Sequence, residues 1–206
     1  MKKWQMRHVV WAWLAASSLL AGCAPLVVGG AVMTGVVATD RRTAGSQLED
    51  EAIELKVASA INKELGERVH LNVTSYNRRV LLTGEVRSEA ERERATLLAR
   101  SQDNVKDVVN DLGIGAPSSL SQRTKDTVTS GQVKAAFLDA KDLQSNAVKV
   151  VTERGIVYLM GRVTPREAQR ATDITRGIGG VVKVVRVFEE ISEDELKRLS
   201  QPPLSR

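Results

Sequence analysis

Few residues in this chain of 206 could do covalent or acid–base chemistry. There is one cysteine, Cys23, and there are two histidines, His8 and His70. A lone cysteine has no partner for an intrachain disulfide. No His/Cys/Asp cluster falls at metal-ligand spacing. The glycines do not form a phosphate-binding loop, and no serine sits in a nucleophile-elbow pattern. His70 lies in a strand-like segment, where a surface or core role is expected rather than that of a base. The chain is therefore expected not to be an enzyme, and neither a metal nor a diffusible cofactor is expected.

Cys23 sits where chemistry is done to it. Met1 to His8 is basic, and Val9 to Leu20 is an apolar run of 12 residues, short for a membrane span. Leu20-Ala21-Gly22-Cys23 follows, and small residues before a cysteine at this place resemble the bacterial lipoprotein box. That resemblance implies a signal peptide over 1–22, removed after the Cys23 thiol takes a diacylglyceryl group, with an N-acyl chain added to the new amino group. No thiol nucleophile then remains. Two or three acyl chains anchor stably where one binds only marginally. Ala24 follows the cysteine, where an aspartate is associated with inner-membrane retention in enteric bacteria. The expected location is the outer membrane, facing the periplasm. Ala24 to Thr39 carries no charge, and its glycines weaken a helix, so it reads as an apolar tether.

The elements beyond the tether come twice. Val80-Leu81-Leu82-Thr83-Gly84-Glu85-Val86 returns 77 residues later as Val157-Tyr158-Leu159-Met160-Gly161-Arg162-Val163. Such self-similarity is read before any fold is assigned. In the first copy, apolar residues at three- and four-residue spacing predict a helix over Leu48 to Leu65, stopped by Gly66. A hairpin turning at Asn77-Arg78 follows, and Gly84 predicts a bulge or close approach by the next helix. Ser88 and Glu91 have capping-box spacing, and Val105 to Val109 reads as the closing strand. The charge run Glu89 to Arg94 reads as a solvated helix face. In the second copy, a helix over about Asp126 to Leu138 precedes a hairpin turning at Arg154-Gly155. Thr164-Pro165-Arg166-Glu167 opens another helix, stopped by Gly179-Gly180, and Val181 to Phe188 closes the unit. Each copy reads helix-strand-strand-helix-strand, an α+β fold. The expected boundaries are 23–47 for the lipidated N-terminus and tether, 48–115 and 124–191 for the domains, 116–123 for a linker and 192–206 for a polar tail. Units of this size are marginal alone, so docking of one copy on the other is expected.

Charge divides the copies. The formal net charge is +5, but a chain starting at Cys23 carries 27 basic and 25 acidic residues. Residues 48–115 have 10 basic and 13 acidic side chains, and residues 116–191 have 12 and 8. The second copy is the one suited to an anionic partner.

These two units, each with an apolar strand running into glycine and a valine-rich closing strand, resemble BON domains (bacterial OsmY and nodulation domains). A lipoprotein box before them resembles the dual BON-domain outer-membrane lipoproteins, specifically the division- and outer-membrane-stress-associated lipid-binding lipoprotein family. The matching stretches are Ala38-Thr39-Asp40-Arg41-Arg42-Thr43, Asn72-Val73-Thr74-Ser75-Tyr76 with Val80 to Gly84, and Val157 to Gly161. The resemblance implies a lipid-anchored protein that supports outer-membrane integrity, with protein and lipid together at the division site. It also implies binding of anionic phospholipid, chiefly phosphatidylglycerol and with cardiolipin as a second candidate, through the first helix of the second domain. Carried over, the contact positions are Val128, Thr129, Gln132, Val133, Lys134, Phe137 and Leu138. Val128 stands where the best-known members have a tryptophan, and a valine offers less apolar area.

Three function classes remain. One is a membrane-surface module contacting anionic headgroups. Another is a periplasmic adaptor for envelope assembly or quality control, with membrane contact only through the anchor. The third is a structural role, one copy acting as scaffold for the other. Nucleic acid is not an expected partner.

Overall fold

The computed structural model describes residues 40–66 and 70–199. The signal peptide, Cys23, the tether and the end of the tail lie outside the described residues. The described residues all fall in one compact unit.

Within that unit the expected order appears twice. The first repeat comprises α1 (Ala44–Leu65), β1 (His70–Tyr76), β2 (Arg79–Val86), α2 (Glu89–Arg100), β3 (Asp107–Asn110) and a short β4 (Gly113–Ile114). The second comprises α3 (Leu120–Asp139), β5 (Lys149–Glu153), β6 (Ile156–Val163), α4 (Pro165–Arg176) and β7 (Lys183–Glu190), and α5 (Glu193–Leu199) follows. In each sheet the middle strand pairs antiparallel with its hairpin partner and parallel with the closing strand. The parallel pairing requires a crossover, which α2 and α4 supply.

Two helices start earlier than their apolar spacing indicates. Thr43 caps α1 by accepting from the Ser46 backbone N–H, and Ser119 caps α3 by accepting from that of Gln122. Residues 120–123, expected in a linker, are therefore the first turn of α3. At α4 the capping box is complete, with Thr164 and Glu167 each accepting from the other's backbone. At α2 it is not: Ser88 caps Glu91, but the Glu91 carboxylate accepts from Arg87 instead. Helix α4 ends at Arg176, before the glycine pair expected to stop it.

The cores follow from strand alternation. Val80, Leu82 and Val86 of β2 point to α1 and α2, where Ile53, Val57, Ile61, Ala95 and Ala99 meet them. Val157, Leu159 and Val163 of β6 meet Val133, Phe137, Ala168 and Ala171. The opposite faces of the same strands form a third core shared by both repeats, built from Tyr76, Leu81, Tyr158, Met160 and Val187. Each middle strand is thus buried on both sides, which is why it reads as a continuous apolar run. The expected docking of one copy on the other is this sheet-to-sheet contact.

The two hairpin turns are held alike. Asn77 and Arg78, and Arg154 and Gly155, all have positive φ, the pattern of a two-residue hairpin turn. The buried carboxylate of Asp50 on α1 accepts from the backbone N–H groups of Asn77 and Arg78, each at 2.8 Å. Asp126 on α3 does the same for Arg154 and Gly155, also at 2.8 Å. Gly84 is required by its neighbour strand rather than by the following helix. A Cβ there would lie 2.0 Å from the His70 carbonyl oxygen, and φ is +112°.

Candidate functional site

Helix α3 carries the positions of interest. Its inward stripe is Asp126, Thr129, Val133 and Phe137, all buried. Val133 and Phe137 belong to the core of the second repeat. Four of the seven expected contact positions are exposed: Val128 (54%), Leu138 (70%), Gln132 and Lys134. The set therefore divides by face. Val133, Phe137 and Thr129 anchor the helix to its own domain, and the other four are presented outward.

The exposed ridge lies between two grooves. One, of about 610 Å³, is lined by Lys134, Leu138, Val148 and Val150 together with Arg42 and Tyr76 from the first repeat's side. The other, of about 520 Å³, is lined by Val128, Gln132, Lys125, Gly180 and Val182. Val182 is 81% exposed beside it.

The cations around the ridge differ in availability. Lys125, Lys134 and Lys141 are exposed and make no hydrogen bond or ion pair among the described residues. Lys149 reaches Glu54 of α1 at 3.0 Å, and Arg123 donates to the Ser118 carbonyl. Arg123 thus has a local task at the start of α3.

The junction beneath this ridge is polar and was not legible in the sequence. Arg41 donates two hydrogen bonds to Glu167 of α4, at 2.6 and 2.8 Å, and a third to the Arg162 carbonyl. Arg42 next to it pairs with Asp50 of α1 and lies over the Tyr76 ring, 4.2 Å from its centroid. The segment before α1 thus clasps one repeat with each arginine. Burial pushes the Glu167 carboxyl up, but Arg41 and the Thr164 backbone N–H outweigh it and hold the group below the usual carboxylate range. Asp50 is held low in the same way, burial being outweighed by the Arg78 N–H, the Ser75 hydroxyl, Arg42 and the Asn77 N–H. Burial pushes the Tyr76 hydroxyl up to about 12. The Tyr158 hydroxyl donates to Asp111 across the seam at 2.9 Å.

The family model for the BON domain matches residues 49–116 and 125–190. The chain belongs to the BON-domain family. Both BON matches coincide with the helix-strand-strand-helix-strand units. Outer membrane lipoprotein DolP of Haemophilus influenzae is 40% identical over 179 residues, covering 85% of this chain and 92% of that one. The 21 kDa hemolysin of Actinobacillus pleuropneumoniae is 32% identical, over 74% of this chain and 79% of its own length. Osmotically-inducible protein Y of Escherichia coli is 30% identical, over 68% and 72%. No described helix of this BON protein is long and apolar enough to cross a membrane.

Proposed function

We propose that this protein is an outer-membrane lipoprotein, anchored through acylated Cys23 and facing the periplasm, whose second BON domain docks on anionic phospholipid. Its role is non-catalytic support of envelope integrity, at the division site among other places. The observation that carries the reading is the ridge of α3. Val128 and Leu138 stand outward, and Lys125, Lys134 and Lys141 beside them have no internal partner among the described residues. Each lysine near an anionic surface adds about 1 kcal/mol of attraction. The 40% identity to an outer membrane lipoprotein supports the location. The first BON domain positions the second through the shared core.

Vesicle flotation of the non-lipidated chain, residues 24–206, tests the reading. Binding to phosphatidylglycerol or cardiolipin vesicles, absent from neutral ones and weakened by salt, is expected. Lys134→Glu should reduce it about thirtyfold, since reversal replaces about 1 kcal/mol of attraction by repulsion of similar size. Absence of binding to either vesicle would favour the adaptor reading. That reading has one observation behind it, the exposed Leu48 and Leu55 seven residues apart on α1.

A further inference from the structure

A second constellation lies on the seam between the two BON domains, opening on a cavity that Lys134 of α3 also lines. His70 of β1, Glu85 of β2 and Glu153 of β5 converge there, separated by 15 and 68 residues in the chain. His70 Nδ1 lies 3.0 Å from Glu85 Oε2 and 4.0 Å from Glu153 Oε1. One ligand atom from each residue falls within 4.8 Å of the others. We propose that these three side chains bind one divalent transition-metal ion of the zinc type, joining the two domains.

Several observations carry this assignment. Ligands about 2.0–2.2 Å from a tetrahedral zinc ion stand roughly 3.4 Å apart, and the two observed distances bracket that value. One imidazole with two carboxylates is a donor set suited to zinc and its neighbours rather than to magnesium or calcium. Outer contacts already orient the ligands. Asn72 donates to Glu153 Oε2 at 2.9 Å, leaving Oε1 turned toward His70, and the Ser118 N–H donates to Glu85 Oε2 at 3.0 Å. Such second-shell bonds are how metal ligands are fixed. The Ser118 hydroxyl lies 3.4 Å from His70 Nδ1 and 3.5 Å from Glu153 Oε1.

The independent sign of a missing partner is Glu85. Its side chain is 4% exposed, and Oε1 is buried without a hydrogen-bond partner. The cation facing it, Arg154, has Nε at 3.7 Å, beyond hydrogen-bond range and likewise unpartnered. Arg154 gives Oε1 charge but no hydrogen bond, so this buried carboxylate is incompletely partnered, and a cation held at Oε2, the oxygen facing His70, would offset the cost of its burial. Glu153 is buried as well, and burial pushes its carboxyl up. Access is present: His70 and Glu153 line a cavity of about 350 Å³ with Asn72, Arg123 and Asp126. The expectation of no metal in this chain rested on local spacing, which a site assembled from three strands does not display.

The test uses the full chain in detergent, free of tags, with His8→Gln and Cys23→Ser so that His70 is the only imidazole and no thiol remains. Titration with Zn²⁺ against a chromophoric chelator should give one equivalent bound, with Mg²⁺ not competing. His70→Gln and Glu153→Gln should each weaken binding by about tenfold or more. Imidazole ¹⁵N spectra of the parent need no ligand substitution, and the Nδ1 resonance should move on adding one equivalent of Zn²⁺. A titration without saturable binding, or an Nδ1 resonance that does not respond to Zn²⁺, would overturn the proposal.

Discussion

At the scale of single residues, buried charges join the parts of this protein. Asp50 and Asp126 hold the two hairpin turns, and Arg41 with Glu167 ties the segment before α1 to α4. Both partners of that pair are about 5% exposed, so removing one leaves the other charged and buried. Arg41→Met is expected to cost about 3–5 kcal/mol in urea unfolding. The pH dependence has a definite sign. Asp50 and Glu167 are held below the usual range, so their stabilisation is present above the unfolded carboxylate value and is lost as pH falls through the folded one. Stability should therefore decline from about pH 5 downward. Glu153, pushed up, acts in the opposite direction: its contribution is present below the unfolded value and lost as pH rises through the folded one. Glu167→Gln should be less stable than the parent at pH 7 and lose less on acidification, measured as the difference in unfolding free energy between pH 7 and pH 4. A slope equal to the parent's would contradict this role for Glu167.

At the scale of elements, glycine positions separate structural need from freedom. Gly84→Ala would force a Cβ against the His70 carbonyl at positive φ, and a loss of about 3 kcal/mol is expected. Gly131 is different. It lies inside α3 with open space where its Cβ would be, so Gly131→Ala should stabilise by about 0.5–1 kcal/mol. Comparison of the two urea midpoints checks both. The sequence carried most of this level. The repeated strand-glycine motif, the helix periodicity and the capping residues define the element order. The starts of α1 and α3 escaped because their first turns lack the apolar spacing of the helix interior. Which side of α3 faces out was only half legible. Thr129, Val133 and Phe137 recur at four-residue spacing, which marks an inward stripe, yet alignment to a family lists both faces together. The His70, Glu85 and Glu153 cluster was not legible at all, because its members come from different strands and different repeats.

At the scale of the whole molecule, two marginal units become one body by burying the second face of each middle strand in a shared core. That arrangement leaves α3 on the outside with its ridge available, while the more acidic first repeat supplies Glu54 and Asp50 to the cations at the junction. On the proposed reading the basic repeat meets the anionic surface, and an acylated Cys23 would keep that surface close. The measurement that tests this most directly is paramagnetic broadening of backbone amide signals by spin-labelled lipid, using the non-lipidated chain on phosphatidylglycerol bicelles. The account expects the strongest broadening at Val128, Gln132, Lys134 and Leu138, with Leu48 and Leu55 of α1 unaffected. Broadening centred on Leu48 and Leu55, or none on α3, would contradict it.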